Sequence, residues 1–321
     1  MKAKDFKIVF MGTPEFAVTI LDGIIDSGYN VVSVITTPDK PAGRGQKVSE
    51  SAVKQYAIKK NLQILQPEKL KSEEFIKALQ SLEADLFVVV AFRMLPEIIW
   101  SMPPKGTINL HASLLPDYRG AAPINWAIIN GEKETGVTTF FIEQEIDTGE
   151  ILEKQSIPID KNDTAGDLHD KLMNLGTALV VQSIEKIISG NYRAINQTDI
   201  LGNKKPKLAP KIFKNDCLIN WNQPAEKVHN FIRGLSPYPA AWCILENKTK
   251  NEIKNYKITS SKITDRKTSN NSTIELNKIG LFIPCSDFYI EILELQQEGK
   301  KKMNAKEFYA GYNKFEFSTH N

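Results

Sequence analysis

Short apolar runs alternate with helix-like segments through the first 190 residues of this 321-residue chain. The runs KIVFMG, VVSVITT, ADLFVVVAF and GTINLHA are rich in β-branched residues, as strands buried on both faces are. Segments with helical spacing begin between them, near Pro14, Ser49, Ser72 and Pro123. This alternation predicts an α/β fold with a doubly wound, mostly parallel sheet.

Two further strand-like runs and a long helix complete the predicted first domain, residues 1–200. The runs GVTTFFIEQEID and EILEKQSIPI flank the turn at Asp147-Thr-Gly-Glu and predict a hairpin-like addition to the sheet. A helical pattern then covers about 164–188. This part of the chain is predicted to be one domain.

The pattern changes at residues 201–212, where LGNKKPKLAPKI has two prolines and four lysines without an apolar period. This composition predicts a linker. Beyond it the strand-like runs are short and separated by turn residues: CLINW, AWCILE, YKITSSKI, STIELN, GLFIPC and FYIEILELQ. Residues 213–321 are therefore predicted to form a small β-rich barrel or sandwich with one helix near 224–233, and SSKITDRKTSNNST is predicted to be a mobile surface loop.

Charge is distributed unevenly along the chain. Residues 201–321 hold 20 Lys and Arg against 12 Asp and Glu, whereas residues 1–200 hold 21 against 26. The basic C-terminal part suggests an anionic partner, although a lysine-rich small domain that is merely well solvated has the same composition. Charge alone leaves both interpretations open.

The chain carries no sequence signal for a membrane, for export or for a thiolate metal site. No stretch approaches the roughly 20 apolar residues of a membrane span, and the first residues lack the features of a signal peptide. The three cysteines, Cys217, Cys243 and Cys285, are far apart and without Cys-x-x-Cys spacing. We therefore expect a cytoplasmic protein with buried cysteines and without disulfides.

The run GTINLHA carries an amide and an imidazole, Asn109 and His111, at its carboxyl end. Residues two apart on a strand point to the same face, and open α/β sheets bind ligands at the carboxyl ends of their strands. The following loop, SLLPDYRGAAP, leaves the strand on a path restricted by two prolines. Taken alone, the pair is weak evidence for a site, and a satisfied polar pair at a strand end is the more common interpretation.

Several motifs together resemble the formyltransferases that use 10-formyltetrahydrofolate, and among these the methionyl-tRNA formyltransferases. The motifs cover most of the chain: GTPEFAV, KPAGRGQK, INLHASLLP, YRGAAP, ETGVT, IDTG, INW, GLSPYPAAW and GKKKM. The resemblance implies a Rossmann-like formyltransferase domain followed by an OB-like β-barrel that binds tRNA. It also implies transfer of a formyl group from 10-formyltetrahydrofolate to the α-amino group of methionyl initiator tRNA, for translation initiation, by an enzyme expected to be monomeric.

The resemblance assigns Asn109, His111 and Asp147 to a catalytic trio. Formyl transfer passes through a tetrahedral carbon, so the site must stabilise an oxygen that gains negative charge and must accept a proton from the attacking nitrogen. Asn109 would donate to the formyl oxygen, His111 would bond that oxygen or move the amine proton, and Asp147 would orient and polarise His111. A free α-amine has a pKa of about 7.7–8.0, so neither a strong base nor a metal is implied.

The resemblance also places a pterin pocket between the SLLP loop and the end of the ADLFVVVAF strand. The residues that it assigns to folate binding are Ser113, Leu114, Leu115, Pro116, Phe92, Arg93 and Met94. The stretch 92–96 departs from the family's usual Tyr-Gly followed by Leu-Pro and is more similar to glycinamide ribonucleotide formyltransferase. A solvated charge at a strand end remains an alternative for Arg93.

The segment PDKPAGRGQKVSE is predicted to be an exposed flexible loop because of its length, its glycines and its basic residues. By itself it is equally typical of a solvated charge run. In methionyl-tRNA formyltransferases the matching loop enters the acceptor-stem groove, so the resemblance assigns Arg44 to tRNA binding. Lys40 and Lys47 would contact phosphates, which adds salt dependence.

Other functions remain as alternatives. Glycinamide ribonucleotide formyltransferase has a similar catalytic domain but would leave the C-terminal part unexplained. A formyltransferase acting on sugar nucleotides, or the hydrolase part of formyltetrahydrofolate dehydrogenase, can carry a C-terminal barrel-like domain but should lack the Lys-Pro-Ala-Gly-Arg-Gly loop. A non-enzymatic RNA-binding module would require loss of the trio. The turn GTPEF lacks Gly-x-Gly-x-x-Gly spacing, which argues against a nicotinamide cofactor.

Overall fold

A computed structural model of the chain describes residues 3–42, 47–269 and 271–320. The contacts between residues divide the chain into two compact units. The first unit comprises Met1–Gly120, Thr135–Ile157 and His169–Leu208, and the second comprises Ala121–Glu134, Pro158–Leu168 and Ala209–Asn321.

The elements up to residue 209 follow the predicted alternation of strands and helices. The strands are β1 (Lys7–Gly12), β2 (Asn30–Ile35), β3 (Lys40–Ala42), β4 (Lys47–Ser49), β5 (Ile64–Leu65), β6 (Leu86–Val90), β7 (Thr107–His111), β8 (Arg119–Gly120), β9 (Glu134–Phe141), β10 (Ile151–Pro158) and β11 (Leu208–Ala209). The helices are α1 (Glu15–Asp26), α2 (Ala52–Lys59), α3 (Glu73–Gln80), α4 (Glu97–Trp100), α5 (Pro123–Ile129), α6 (Ala165–Ser189) and α7 (Gln197–Leu201). A single turn of 3₁₀ helix at Ala3–Asp5 precedes β1.

Seven of these strands form one sheet in the order β10-β9-β7-β6-β1-β2-β5. β1 is parallel to β2 and β6, β6 is parallel to β7, and β2 is parallel to β5. β9 is antiparallel to β7, so the GVTTFFIEQEID run adds an antiparallel strand as a hairpin-like addition would. The chain passes from β1 to β2 on one side and to β6 on the other, which confirms the doubly wound, mostly parallel sheet.

The apolar residues that predicted strands and helices form the core of the first unit. All five residues of β6, LFVVV, are buried, as expected for a central parallel strand covered on both faces. On α1, Phe16, Ala17, Ile20, Leu21 and Ile24 are buried at spacings of three and four, so one face of the helix packs inward. The long helix predicted over 164–188 is α6.

The predicted loop PDKPAGRGQKVSE contains a short hairpin. β3 and β4 pair antiparallel, with Lys40 opposite Ser49 and Ala42 opposite Lys47. The segment predicted to be an exposed flexible loop therefore has strand pairing on its two flanks, which the sequence did not predict because a ladder of three residue pairs is too short to leave a periodic pattern. Residues 43–46, which connect the strands, lie outside the described residues.

The second unit contains an antiparallel sheet that forms a nearly closed barrel, as predicted. The strands of this sheet are β12 (Ala241–Asn247), β13 (Glu252–Lys267), β14 (Glu275–Leu276), β15 (Leu281–Pro284), β16 (Phe288–Gln297), β17 (Met303–Asn304) and β18 (Phe317–His320). The second unit also contains α5 and two later helices, α8 (Ala225–Gly234) and α9 (Ala305–Tyr312). Burial alternates strictly along β12, so one face of this strand lines the core of the barrel. α8 is the helix predicted near 224–233, whereas α9 and β18 were not expected from the sequence.

Two predictions for the second unit are wrong. CLINW is not a strand: Lys214–Cys217 is a 3₁₀ turn, and Leu218 forms only an isolated bridge with Trp242. The first half of SSKITDRKTSNNST is not a loop either, since β13 continues to Lys267 by pairing with β16. Irregularities of register between Ile258 and Lys267 interrupt the alternation of apolar residues, which explains the absence of a strand pattern there.

Side-chain contacts to backbone hold two earlier segments within the second unit. The side-chain amide of Asn125 donates to the carbonyl oxygen of Gly234 at 2.7 Å. The buried guanidinium of Arg233 donates to the carbonyl oxygen of Asp163 at 2.8 Å and to Asn230 Oδ1 at 2.8 Å. Residues 121–134 and 158–168 therefore group with the C-terminal residues in three dimensions.

The three cysteines are buried free thiols, as predicted. Burial raises the pKa of the Cys217 and Cys243 thiols and raises the pKa of Cys285 to about 12. The thiols therefore stay protonated near neutral pH and behave as small apolar groups.

The described part of the chain contains neither a membrane-spanning helix nor a cluster of metal-binding side chains. Within 3–42, 47–269 and 271–320, no helix combines the length and the apolar character that crossing a bilayer requires. Over the same residues, no three or more His, Cys, Asp or Glu side chains gather into a group that could hold a metal ion.

Candidate active site

Strand β7 carries Asn109 and His111 at the carboxyl edge of the sheet, as the sequence predicts. β7 is parallel to β6 on one side and antiparallel to β9 on the other, which places Asn109 between Val89 and Phe140. The two polar side chains share one face of β7 because residues two apart on a strand do so. The sheet thus delivers an amide and an imidazole to the edge at which doubly wound folds bind ligands.

The His111 ring is buried and its orientation is set by a backbone carbonyl. The side chain is 8% exposed, and Nε2 lies 2.8 Å from the carbonyl oxygen of Tyr118. Because a carbonyl oxygen can only accept a hydrogen bond, Nε2 carries a proton. In the neutral ring Nδ1 is therefore the unprotonated nitrogen. Nδ1 lies 3.7 Å from Oδ2 of Asp147, beyond hydrogen-bond distance but within the range of strong charge interaction.

Asp147 lies in the turn between β9 and β10 with a left-handed backbone, φ +56°. Its carboxylate is largely buried and accepts a hydrogen bond from the backbone N–H of Gly120 at 2.9 Å. Asp is one of the few residues other than glycine that adopts this conformation at modest cost. The turn therefore directs the carboxylate towards both Gly120 and His111.

The side chain of Asn109 is partly exposed. No group among the described residues forms a hydrogen bond with its side-chain amide. A polar amide beside a buried imidazole therefore keeps both its donor and its acceptor capacity for a bound molecule.

The loop SLLP is fixed by the hydroxyl groups of two buried residues. Thr138 on β9 donates from Oγ1 to the carbonyl oxygen of Ser113 at 2.7 Å and accepts from the N–H of Leu115 at 3.1 Å. Ser113 Oγ donates to the carbonyl oxygen of Asp117 at 2.7 Å. The Leu115 side chain is buried with Phe140, whereas that of Leu114 is partly exposed.

Phe92, Arg93 and Met94 follow β6, so they lie at the same edge of the sheet as the residues that follow β7. The guanidinium of Arg93 donates to the carbonyl oxygens of Pro67 and Glu68, the latter at 3.0 Å. Burial lowers the pKa of Arg93. The Arg93 guanidinium is therefore bound by two backbone carbonyls and is not a freely solvated charge at a strand end. The Met94 side chain is 69% exposed and Phe92 packs partly against the core.

The three residues assigned to tRNA lie on or between β3 and β4. Lys40 is exposed on β3, and the backbone of Lys47 lies on β4. Arg44 lies outside the described residues. The hairpin follows β2, whose carboxyl end is at the same edge of the sheet as that of β1 and β6.

Sequence reasoning did not single out Tyr118, Gly120, Thr138 or Gln197. Tyr118 and Gly120 act through backbone atoms, which any residue type could supply. Thr138 and Gln197 are buried polar residues at 0% and 1% exposure, and such residues are expected to satisfy specific partners. Thr138 belongs to a buried strand in which a threonine does not stand out among the other β-branched residues. Gln197 lies 50 residues beyond the turn that it contacts.

Two family models match the chain. The model described as formyl transferase matches residues 6–184, and the model described as formyl transferase, C-terminal domain, matches residues 211–313. A protein of Bacteroides fragilis named methionyl-tRNA formyltransferase is 51% identical over 97% of both chains. A protein of the same name from Flavobacterium johnsoniae is 51% identical over 95% of this chain and 96% of its own.

A solved structure of a sugar 3N-formyl transferase, WlaRD, resembles the chain with a TM-score of 0.63. Sequence identity is 25%, and the match covers 92% of this chain and 99% of the other. That structure was determined in the presence of dTDP and 5-N-formyl-tetrahydrofolate. Sequence identity to the two methionyl-tRNA formyltransferases, 51%, is thus about twice the identity to this sugar formyl transferase.

Proposed function

The chain belongs to the methionyl-tRNA formyltransferases and transfers the formyl group of 10-formyltetrahydrofolate to the α-amino group of methionyl initiator tRNA, and we propose that Asn109, His111 and Asp147 carry this reaction. The observation that supports the proposal most is the arrangement of His111. Its Nε2 is hydrogen-bonded to the carbonyl oxygen of Tyr118, so its unprotonated Nδ1 can accept a proton. The Asp147 carboxylate lies 3.7 Å from Nδ1.

His111 accepts the proton of the attacking amine at Nδ1. The uptake of a proton at Nδ1 converts the ring to an imidazolium, which donates from Nε2 to Tyr118 and faces the negative charge of Asp147. The carboxylate thus lies beside the positive charge that the ring acquires in this step. Asp147 therefore acts by stabilising the imidazolium, whereas the orientation of the ring comes mainly from the Tyr118 carbonyl.

Asn109 supplies a hydrogen-bond donor for the formyl oxygen as that oxygen gains negative charge. Its amide has no partner among the described residues, so donating to a substrate breaks no existing bond. Removal of one such donor costs an enzyme about 2.7–4 kcal/mol of transition-state stabilisation. The SLLP loop and residues 92–94 bind the folate at the carboxyl ends of β6 and β7.

The segment with Lys40, Arg44 and Lys47 binds the acceptor end of the tRNA. The basic C-terminal residues contact the phosphates of the tRNA. In this proposal residues 1–200 are the catalytic domain, 201–212 the linker and 213–321 the tRNA-binding domain. We expect the enzyme to act as a monomer and to work in the cytoplasm, where charged initiator tRNA is found.

Measurement of which of three acceptors the protein formylates tests the proposed function. Purified protein and 10-formyltetrahydrofolate are offered methionyl initiator tRNA, glycinamide ribonucleotide or a nucleotide-linked amino sugar in separate reactions. We expect formylated methionyl-tRNA and no comparable turnover of the two small acceptors. Formylation of the amino sugar without formylation of the tRNA would contradict the proposal and favour the reaction named for the structurally similar sugar formyltransferase.

A further inference from the structure

The turn that carries Asp147 needs support from elsewhere in the first unit. Asp147 has φ +56°, a left-handed backbone that is less costly for aspartate than for most residues but is still helped by contacts that hold it. The next residues leave little room for adjustment. A Cβ on Gly149 would lie 1.8 Å from the carbonyl oxygen of Phe141, so the turn packs directly against the end of β9.

The side chain of Gln197, which is 1% exposed, provides that support. Its Nε2 donates to the carbonyl oxygen of Asp147 at 3.0 Å and to that of Gly149 at 2.8 Å. Its Oε1 accepts from Nε and Nη2 of Arg119 at 3.0 and 2.7 Å. Both donor hydrogens and both lone pairs of the amide are therefore in use.

Gln197 is itself fixed by the chain on either side. Ile195 forms a two-bond antiparallel bridge with Ile151 at the start of β10, with both distances 2.9 Å. Asn196 then caps α7 by accepting from the N–H of Thr198 at 2.9 Å. The Gln197 side chain thus projects from a well-defined helix start towards the turn.

The two partners of Gln197 are the two segments that flank the imidazole of His111. Arg119 lies between Tyr118, whose carbonyl accepts from His111, and Gly120, whose N–H donates to Asp147. The amide of Gln197 therefore connects the loop that orients the imidazole to the turn that presents the carboxylate.

We propose that Gln197 is a positioning residue for formyl transfer, acting by holding the Asp147 carboxylate in place beside His111. The inference rests on the proposed roles of these two residues. It requires an amide at position 197: a carboxylate of the same shape would still accept from Arg119 but would turn an acceptor towards the carbonyls of Asp147 and Gly149. Misplacement of a reacting group by about 1 Å can cost about 100-fold in rate.

Kinetics of the full-length Gln197→Glu protein test the inference. We expect kcat to fall about 10- to 100-fold while KM for methionyl-tRNA and for 10-formyltetrahydrofolate stay within about 3-fold, because Gln197 touches neither the reacting atoms nor the substrates. Asp199→Ala, an exposed change on the same helix, is the matched control and should keep wild-type kinetics. An unchanged kcat, or a change confined to KM, would overturn the inference.

Combination with Asp147→Asn distinguishes positioning from general damage to the fold. If Gln197 acts through Asp147, Gln197→Glu should lower kcat less than 3-fold in the Asp147→Asn background, whereas multiplied effects would overturn the inference. Gln197→Met, which keeps length and neutrality, answers the same question if the glutamate variant does not fold. Absence of formyl transfer by the wild type, or full activity of Asp147→Asn, would instead contradict the proposed function.

Discussion

The ring of His111 is held through Nε2 by the carbonyl oxygen of Tyr118 at 2.8 Å. Tyr118 has φ +62°, a left-handed conformation, and its own N–H donates to the carbonyl oxygen of Lys207. This arrangement assigns the proton of the neutral ring to Nε2 and leaves Nδ1 to accept another. The proposed chemistry therefore depends on a backbone atom in a loop as well as on the three side chains of the proposed trio.

Asn109→Ala should lower kcat about 100-fold or more, because the developing oxyanion loses a side-chain donor. KM for both substrates should change much less, since the hydrogen bond strengthens as charge develops. Steady-state kinetics with methionyl-tRNA and 10-formyltetrahydrofolate measure both constants. A rise in KM with unchanged kcat would show that Asn109 only binds the ground state.

Arg44→Ala should lower kcat/KM for methionyl-tRNA about 10- to 100-fold and leave KM for 10-formyltetrahydrofolate unchanged, because the residue is assigned to the acceptor stem. Lys105→Ala removes the same charge at the amino end of β7, at the opposite edge of the sheet, and is the matched control. Measurement over a range of salt should also show KM for the tRNA rising with salt. Equal effects of the two substitutions would contradict the assignment of Arg44.

Acidification should destabilise the fold through His229. Burial lowers the pKa of His229, the Arg233 guanidinium lowers it further, and Glu226 opposes this shift. The unfolded chain then binds a proton at a pH where folded His229 does not. As the pH falls below about 6.5, the ordinary pKa of histidine, proton uptake therefore favours the unfolded chain. The free energy of unfolding decreases from there until the pH reaches the lower pKa of folded His229.

His229→Gln removes this titration and retains a polar side chain that can reach Ser261, whose hydroxyl lies 3.0 Å from Nδ1. The variant should therefore lose less stability than the wild type between pH 7.5 and pH 5.5. Thermal unfolding at the two pH values measures the difference. An identical pH dependence of Tm in the two proteins would refute the role of His229.

Much of the fold follows from local patterns in the sequence. The β-branched runs of β1, β2, β6 and β7 have the signature of buried parallel strands, and the fold places Asn109 and His111 where that signature predicts. β13 is different, because its register shifts against β16 and its outer half is exposed. The run YKITSSKI predicted the part of β13 up to Ile263, whereas pairing with a distant strand, rather than the local sequence, continues the strand to Lys267.

The supporting contacts of the site were beyond sequence reasoning for a related reason. The Tyr118 carbonyl and the Gly120 N–H are backbone groups, and their positions depend on the path of a loop. Gln197 comes from a short helix in a polar stretch and meets Asp147 only in three dimensions. Residue spacing therefore predicted the placement of Asn109 and His111 at one strand end, and the resemblance to the family assigned Asp147 to the same site, whereas the groups that hold these side chains depend on tertiary structure.

Single-turnover formylation by His111→Ala tests the central claim most directly. The measured quantity is the rate constant for formation of formyl-methionyl-tRNA with enzyme in excess and 10-formyltetrahydrofolate saturating, for variant and wild type, after thermal unfolding has shown that both are folded. We expect the rate constant to fall about 100-fold or more, because the group that accepts the amine proton is lost. A folded His111→Ala protein that forms the product at nearly the wild-type rate would contradict the mechanism.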